Sequence, residues 1–244
     1  MQFPATRTIS AARLLPLLLL LTLPAAVQAQ FLYTTDGGTI TITGYYGSDD
    51  VVAIPSLING LPVTRIGDWA FDSCTTLTSI TIPNSVISIG NSAFSSCTSL
   101  TSVTIPNGVA SIGSWAFSSC TKLTGVYFRG NAPGLGSFVF WYTSPTVYYL
   151  PEMTGWGTTF GGCPTALWRL QIQTGDASFG VRTNQFGFNI TWASGRVIVV
   201  EACTNLASPN WSPLRTNTLS ADALYFSDPE WTNYPRRFYR LRSP

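Results

Sequence analysis

The 244-residue sequence contains no histidine. That removes the commonest general base and the commonest metal ligand together. It also removes any Ser-His-Asp arrangement that would activate one of the many serines. Charge is almost as scarce, since Asp, Glu, Lys and Arg make up 10% of the chain, against about 25% in an average globular protein. Two of the 13 basic residues, Arg7 and Arg13, lie near the N-terminus, and without them 11 bases face 11 acids. A neutral chain has no electrostatic footprint for nucleic acid and no polybasic stretch for an anionic membrane. Also missing is a G-x-S-x-G elbow. The nearest carboxylate pairs are Asp49-Asp50 and Asp228-x-Glu230. These read as solvated turn residues or capping groups, whereas a glycosidase needs two acids at a set separation across a cleft. Gly155-Trp156-Gly157 lacks the rest of a dinucleotide fingerprint, because Phe160 stands where the third glycine belongs. The expectation is a non-enzyme with no catalytic residue, no metal and no cofactor.

What is present begins with a leader. Arg7 and Arg13 precede or open an apolar run from Leu14 to Leu23, interrupted only by Pro16 and Thr22, and Val27-Gln28-Ala29 follows. This is the pattern of a secretory signal with a small-residue cleavage site, which places the signal at 1–29 and the mature start near Gln30. The run is short of the roughly 20 residues that span a bilayer, although an uncleaved anchor is the alternative. No cysteine follows it to carry a lipid, and no candidate membrane span occurs after residue 30. A secreted or cell-surface location is expected.

The middle of the chain repeats. Ile66-Gly67, Ile89-Gly90 and Ile112-Gly113 recur every 23 residues. So do Ala70-Phe71, Ala93-Phe94 and Ala116-Phe117, then Cys74, Cys97 and Cys120, then Leu77, Leu100 and Leu123. A degenerate fourth copy keeps the register at Leu135-Gly136, Val139-Phe140 and Thr143, and the first copy carries an insertion at Asn59-Gly60-Leu61-Pro62. In one unit Leu77 to Ile82 is β-prone, with Ile80 and Ile82 alternating with Thr81. Pro83 lacks an N–H and ends the strand. Gly90 suits a turn residue of positive φ, and Ala93-Phe94 is too short for more than one turn. A lone coil cannot bury its apolar side, whereas stacked coils form a continuous core. About four coils are read, and residues 30–168 form the solenoid with its caps.

The string Cys-x-x-Leu-x-x-Ile-x-Ile-Pro with Ile-Gly-x-x-Ala-Phe resembles the BspA-like leucine-rich repeats of bacterial surface proteins, over about Val52 to Phe140. Tyr33 to Gly38 and Thr39 to Gly44 resemble the N-terminal cap found with such repeats, with Asp36-Gly37 as a hairpin turn. The resemblance implies a curved, mainly β solenoid with a parallel sheet on one face, and surface adhesion or partner binding as its role.

After Phe140 the period fades. Thr146 to Leu150 reads as a last strand, and Pro151 to Pro164 as a linker or capping loop. From there the alternation of Phe186, Phe188, Ile190 and Trp192 marks a half-buried strand. Val197 to Ala202 is a second strand, with Ser194-Gly195 as the turn between the two. Trp211–Leu214, Leu224–Phe226 and Phe238–Leu241 are weaker strand candidates. Residues 169–244 read as a small antiparallel β-sandwich-like module, similar to a short terminal module of secreted bacterial proteins.

Cys74, Cys97 and Cys120 fall one per coil at inward positions, so they read as buried reduced thiols and not as metal ligands. Replacing Cys97 with Ser is expected to bury an unpaired hydroxyl. Cys163 and Cys203 remain open between a disulfide and free thiols, the total of five being odd. Ser79, Thr81, Ser102, Thr104, Gly125 and Tyr127 alternate with apolar residues, so they are expected to face solvent from the sheet. Trp69, Trp115 and Phe138 share one repeat position, with Ser92 interrupting them, and Tyr127, Trp141, Tyr142, Tyr148 and Tyr149 crowd the last coil. The chain therefore reads as a binding or adhesion protein with a protein or glycan partner at a cell surface. The sheet residues Ser79, Thr81, Ser102, Thr104 and Tyr127 serve a protein partner, and aromatics of the last coil such as Trp141 and Tyr149, or those of the C-terminal module, a glycan. A structural envelope component is the third reading.

Overall fold

The computed structural model describes residues 30–192, 195–220 and 223–243. The signal segment expected at 1–29 lies outside the described residues. Almost all regular structure is β, and a single 3-10 turn at Trp231–Asn233 is the only helical element described. No described helix is long and apolar enough to cross a membrane.

The repeats form a coil stack with two parallel ladders rather than one. Val51–Ala53 pairs with Ser79–Thr81, and Ser102–Ile105, Gly125–Phe128, Thr146–Tyr149 and Cys163–Leu167 continue that side in parallel. On the other side Thr39–Tyr45, Leu61–Ile66, Ser88–Ile89, Ser111–Ile112 and Gly134–Leu135 are stacked in parallel, which makes five coils. The second ladder escapes a reading of strand-length runs because most of its rungs are two residues long.

Both ends of the stack are closed by chain reversal. Phe31–Asp36 returns antiparallel on Thr39–Tyr45 through Gly37 and Gly38, at φ 53° and 77°. This is the expected hairpin, with the turn one residue later. The inserted Asn59-Gly60 makes a second two-residue hairpin, pairing Leu57 with Pro62 and Ile58 with Leu61. At the far end Thr146–Tyr149 is not the last strand, because Cys163–Leu167 adds another. Its rung falls 18 residues after the previous one (Val147 to Thr165), where the ordinary step is 23 (Val103 to Val126). The segment expected to be a linker is thus a shortened coil.

Rings stack through the interior from coil to coil. Phe71, Phe94 and Phe117 lie 5.1 and 5.2 Å apart at 16° and 6°, with Tyr45 closing one end and Phe140 the other. Gly90 does not have a positive φ. The left-handed residues are Ser92 and Ser96, at φ 52° and 59°, and their equivalents in the other coils. Gly90 is required for a different reason: a Cβ there would lie 2.6 Å from the carbonyl carbon of Gly67 in the preceding coil.

Cys97 and Cys120 are buried and Cys74 is half-buried, and all five cysteines are free thiols. The Cys97 thiol donates to the Phe71 carbonyl at 3.2 Å and that of Cys120 to Phe94 at 3.1 Å. The adjacent Cys120 thiol and burial both push the Cys97 thiol up from its ordinary value, so little thiolate forms. A serine at Cys97 therefore inherits an acceptor and does not bury an orphan hydroxyl. Cys97→Ser and Cys97→Ala should cost similar amounts, about 1 kcal/mol each, when urea midpoints are compared. The Cys97 and Cys120 thiols should label only after denaturation, with no reductant needed.

The C-terminal residues build two antiparallel sheets. Gln171–Gln173, Gly180–Arg182, Gln185–Thr191 and Ala223–Asp228 form one. Ser212–Thr218, Val197–Cys203 and Phe238–Arg242 form the other. Gln185–Thr191 and Val197–Cys203, expected to be joined by a turn, lie in different sheets. Phe188, Ile190, Ile198, Val200 and Phe226 fill the space between, in a core that also takes Leu150 from the coil stack. Asp228, read from sequence as a solvated turn residue or a capping group, is buried, and it accepts hydrogen bonds from the Tyr239 hydroxyl and, as a cap, from the Glu230 N–H.

Candidate functional site

Alternation along the strands decides what the first ladder shows. Val103 and Ile105 point inward and are buried, leaving Ser102 exposed and Thr104 half-buried on the outside, and Ser79 and Thr81 are exposed one coil earlier. In the next coil the outward residues change character. Tyr127 pairs with Thr104 on one side and Tyr148 on the other. The two phenol rings stack at 4.8 Å and 9°. Tyr127 also meets Trp168 at 4.9 Å.

Gly125 and Tyr127 therefore depart from the solvent-facing row. Gly125 is buried, and a Cβ there would lie 2.9 Å from the Tyr127 ring, which folds over it. Tyr127 is half-buried because the chain beyond the coils packs onto it. Burial, and then the neighbouring Tyr148, push its phenol above the ordinary value, so it remains a neutral hydrogen-bonding group across physiological pH.

Trp168 makes that junction. Its N–H donates to the Tyr149 carbonyl at 2.6 Å, continuing the last coil, and its own carbonyl accepts the Trp192 indole N–H at 3.0 Å. From there Gln171–Gln173 runs antiparallel to Asn189–Thr191, and the Gln173 amide donates to the Thr191 hydroxyl at 2.7 Å. This strand pair forms a wall over the sheet. Between wall and floor lies a cleft of about 470 Å³ lined by Ser102, Thr104, Tyr127, Tyr148, Trp168, Gln171, Gln173 and Thr191. A second hollow of about 240 Å³ over Ser79, Thr81, Ser102, Thr104 and Arg129 shares two of its residues. Together they form one groove across successive rungs.

Five of the seven residues singled out from sequence, Ser79, Thr81, Ser102, Thr104 and Tyr127, meet in this groove. The other two lie elsewhere. Tyr149 is half-buried and stacks on Trp156 at 5.1 Å. Trp141 is exposed and set edge-on between Phe138 and Tyr142. The wall residues Trp168, Gln171, Gln173 and Thr191 carry no sequence signal, since their contacts join segments without a shared period.

The groove is polar but nearly uncharged, with Arg129 and Arg169 as the cations on its lining. Among the described residues, no three of Cys, Asp or Glu stand together to hold a metal ion. The arrangement offers hydroxyls, carboxamides and phenols as mixed donors and acceptors.

The model of the BspA type leucine rich repeat region matches residues 52–161 in six copies. No curated protein matches the chain. Among solved structures, a leucine-rich repeat protein from Bacteroides capillosus is 31% identical, covering 49% of this chain and 94% of that one, with a TM-score of 0.45. A leucine-rich repeat protein of T. pallidum is 28% identical over 49% of this chain and 69% of its own, with a TM-score of 0.41. A leucine-rich cell surface protein from Faecalibacterium prausnitzii is 25% identical over 56% and 47%, with a TM-score of 0.35. Through the repeats at residues 52–161, the chain belongs to the BspA-type leucine-rich repeat family.

Proposed function

We propose that this protein is an exported binding protein of the cell exterior, and that its groove takes an extended segment of a partner protein. The observation that carries this reading is the wall of Gln171, Gln173 and Thr191 standing over Ser102 and Thr104, with Ser79 and Thr81 continuing the hydroxyl floor beyond it. A coil stack with a purely structural role needs no wall across its sheet face. An extended peptide backbone presents alternating N–H and C=O groups, and a floor and wall of hydroxyls and carboxamides can answer both. With so little charge nearby, specificity rests on hydrogen bonds and shape more than on electrostatic steering. The N-terminal leader and the repeat family both support a position outside the cell.

The test is capture from extracts of host or neighbouring cells by the wild-type protein, followed by titration of the captured partner. Thr104→Arg places a long cation in the middle of the groove and should weaken that partner by about tenfold or more. Capture of the same partner with unchanged affinity by Thr104→Arg would move the site off the groove.

A further inference from the structure

We propose a second binding site, independent of the groove: a slot between Trp69 and Trp115, floored by Ser92, that holds one pyranose ring of a neutral glycan.

Trp69, Ser92, Trp115 and Phe138 occupy the same place in successive coils, and all four have left-handed backbone, with φ of 56°, 52°, 56° and 59°. Their side chains therefore leave the coils in the same direction. The coils are held in step here, since the N–H groups of Trp69, Ser92 and Trp115 donate to the next coil at 2.8–3.0 Å. Left-handed backbone disfavours bulky residues, yet three of the four are aromatic.

The ring column has a missing rung. Trp115 lays one face on Phe138, at 5.9 Å and 18°. A ring held parallel to its neighbour on one side turns its other face to the coil on the opposite side. That coil carries Ser92, so the face looks past a small side chain toward Trp69. Trp69 is 63% exposed and Trp115 45%. Trp69 stacks on no ring among the described residues, although the interior column of phenylalanines is continuous from Phe71 to Phe140.

The width and polarity of the gap select the occupant. Two coil steps place the indoles about 9.5 Å apart, twice the inter-strand spacing. A flat ring sandwiched at van der Waals distance needs only about 7–8 Å and would be loose. A puckered pyranose, with hydrogens on both faces, is thicker and fills the space. Its faces are apolar and its rim carries hydroxyls, which matches two indole walls above a serine floor. An aromatic or proline side chain would leave Ser92 without a polar neighbour. The charged residues adjoining Trp69 in the chain are the exposed carboxylates Asp68, which accepts from the Asn91 N–H and side chain, and Asp72, which accepts from the Ser73 hydroxyl, and this negative charge disfavours a uronic acid over a neutral sugar.

The probes are neutral hexasaccharides of β-1,4-linked glucose, N-acetylglucosamine, mannose and xylose, titrated calorimetrically into the protein. At least one should bind with Kd of about 1 mM or tighter. Trp69→Ala and Trp115→Ala should each weaken it by about tenfold. Ser92→Trp fills the slot with the side chain that flanking coils already carry at the same backbone angle, and it should abolish binding. These positions are exposed or half-buried corners, so melting temperatures should stay at the wild-type value, which separates lost binding from lost folding. Thr104→Arg should bind the sugar as wild type does, which keeps this site distinct from the groove. The proposal is overturned if no hexasaccharide binds, if binding survives Ser92→Trp, or if an aromatic or proline-rich peptide takes the slot in place of every sugar.

Discussion

Gly113→Ala should destabilise the protein by about 3 kcal/mol or more, a fall of about 6–12 °C in melting temperature for a chain of this size. The added methyl would lie 2.5 Å from the Asn91 nitrogen and 2.6 Å from the Gly90 carbonyl carbon, where ordinary contact is about 3.5–4.0 Å. Both neighbours are backbone, so neither can swing aside. The coils would have to separate at a corner where they are tightly bonded. Gly113 N–H donates to the Ile89 carbonyl at 2.8 Å, and Ser114 N–H to the Asn91 side chain at 2.9 Å. No left-handed strain enters, because Gly113 does not have a positive φ, and the smaller unfolded-chain entropy of alanine offsets only about 0.4–1 kcal/mol of the clash. The contrast is Gly37→Ala in the first hairpin, where φ is 53° and the space around is open. That change should cost about 1–2 kcal/mol through backbone strain alone. Equal losses at the two positions, measured by urea unfolding, would show that the coils can part at little cost and that close approach is not what holds glycine in every coil.

The same glycine column shows how far the sequence can be read. Ile-Gly and Ala-Phe recur because each coil makes the same contacts with the next, so one period reports every rung. That the glycine serves close approach instead of a left-handed turn is invisible in one dimension, since both demands select the same residue. The left-handed positions fall on Ser92 and Ser96, residue types with no particular preference for that conformation. The shortened coil ending at Cys163–Leu167 was hidden for a related reason: its step is 18 residues, so the period that exposes its neighbours does not apply. In the groove, Ser102 and Thr104 were legible because they alternate with Val103 and Ile105. The wall was not, because Gln171 and Thr191 meet the floor through tertiary packing at large separation. Tyr127 was assigned outward by alternation correctly, yet its solvent was taken by Trp168. Strand periodicity says which side a residue faces and nothing about what later covers that side.

Asp228→Ala should be the most costly polar substitution in the C-terminal sheets, at about 3–5 kcal/mol. The Asp228 carboxylate is 4% exposed. One oxygen accepts the Tyr239 hydroxyl at 2.8 Å and lies 2.9 Å from the Arg237 guanidinium, and the other accepts the Glu230 N–H at 3.0 Å. The Arg237 contact is an ion pair without hydrogen-bond alignment, so its strength is chiefly Coulombic. Alanine would leave a mostly buried cation and phenol without their anion, with only the Tyr234 ring, 4.2 Å below the guanidinium, as compensation. Arg237→Ala together with Asp228→Ala should therefore cost less than the sum of the two single changes, with a coupling of about 1–3 kcal/mol. Burial, then the hydrogen bond and charge of Asp228, raise the Tyr239 phenol above its ordinary value. A raised phenol contributes stability that is fully present below the unfolded value and lost as pH rises through the folded one. In wild type Tyr239 should thus titrate late, with Tyr45 and Tyr127, whose phenols burial also raises, after the exposed phenols, when followed by ultraviolet absorbance. In Asp228→Ala Tyr239 should titrate earlier. The consequence reaches the groove, because the strand ending at Asp228 pairs along Gln185–Thr191, the strand that carries Thr191 in the wall. Hydrogen exchange at Gln171–Gln173 should quicken in Asp228→Ala while Ser88–Ile89 and Ser111–Ile112, inside the coil stack, keep their protection. Wild-type exchange at Gln171–Gln173 in a destabilised Asp228→Ala would show that the wall is held by the coils and not by the sheet behind it.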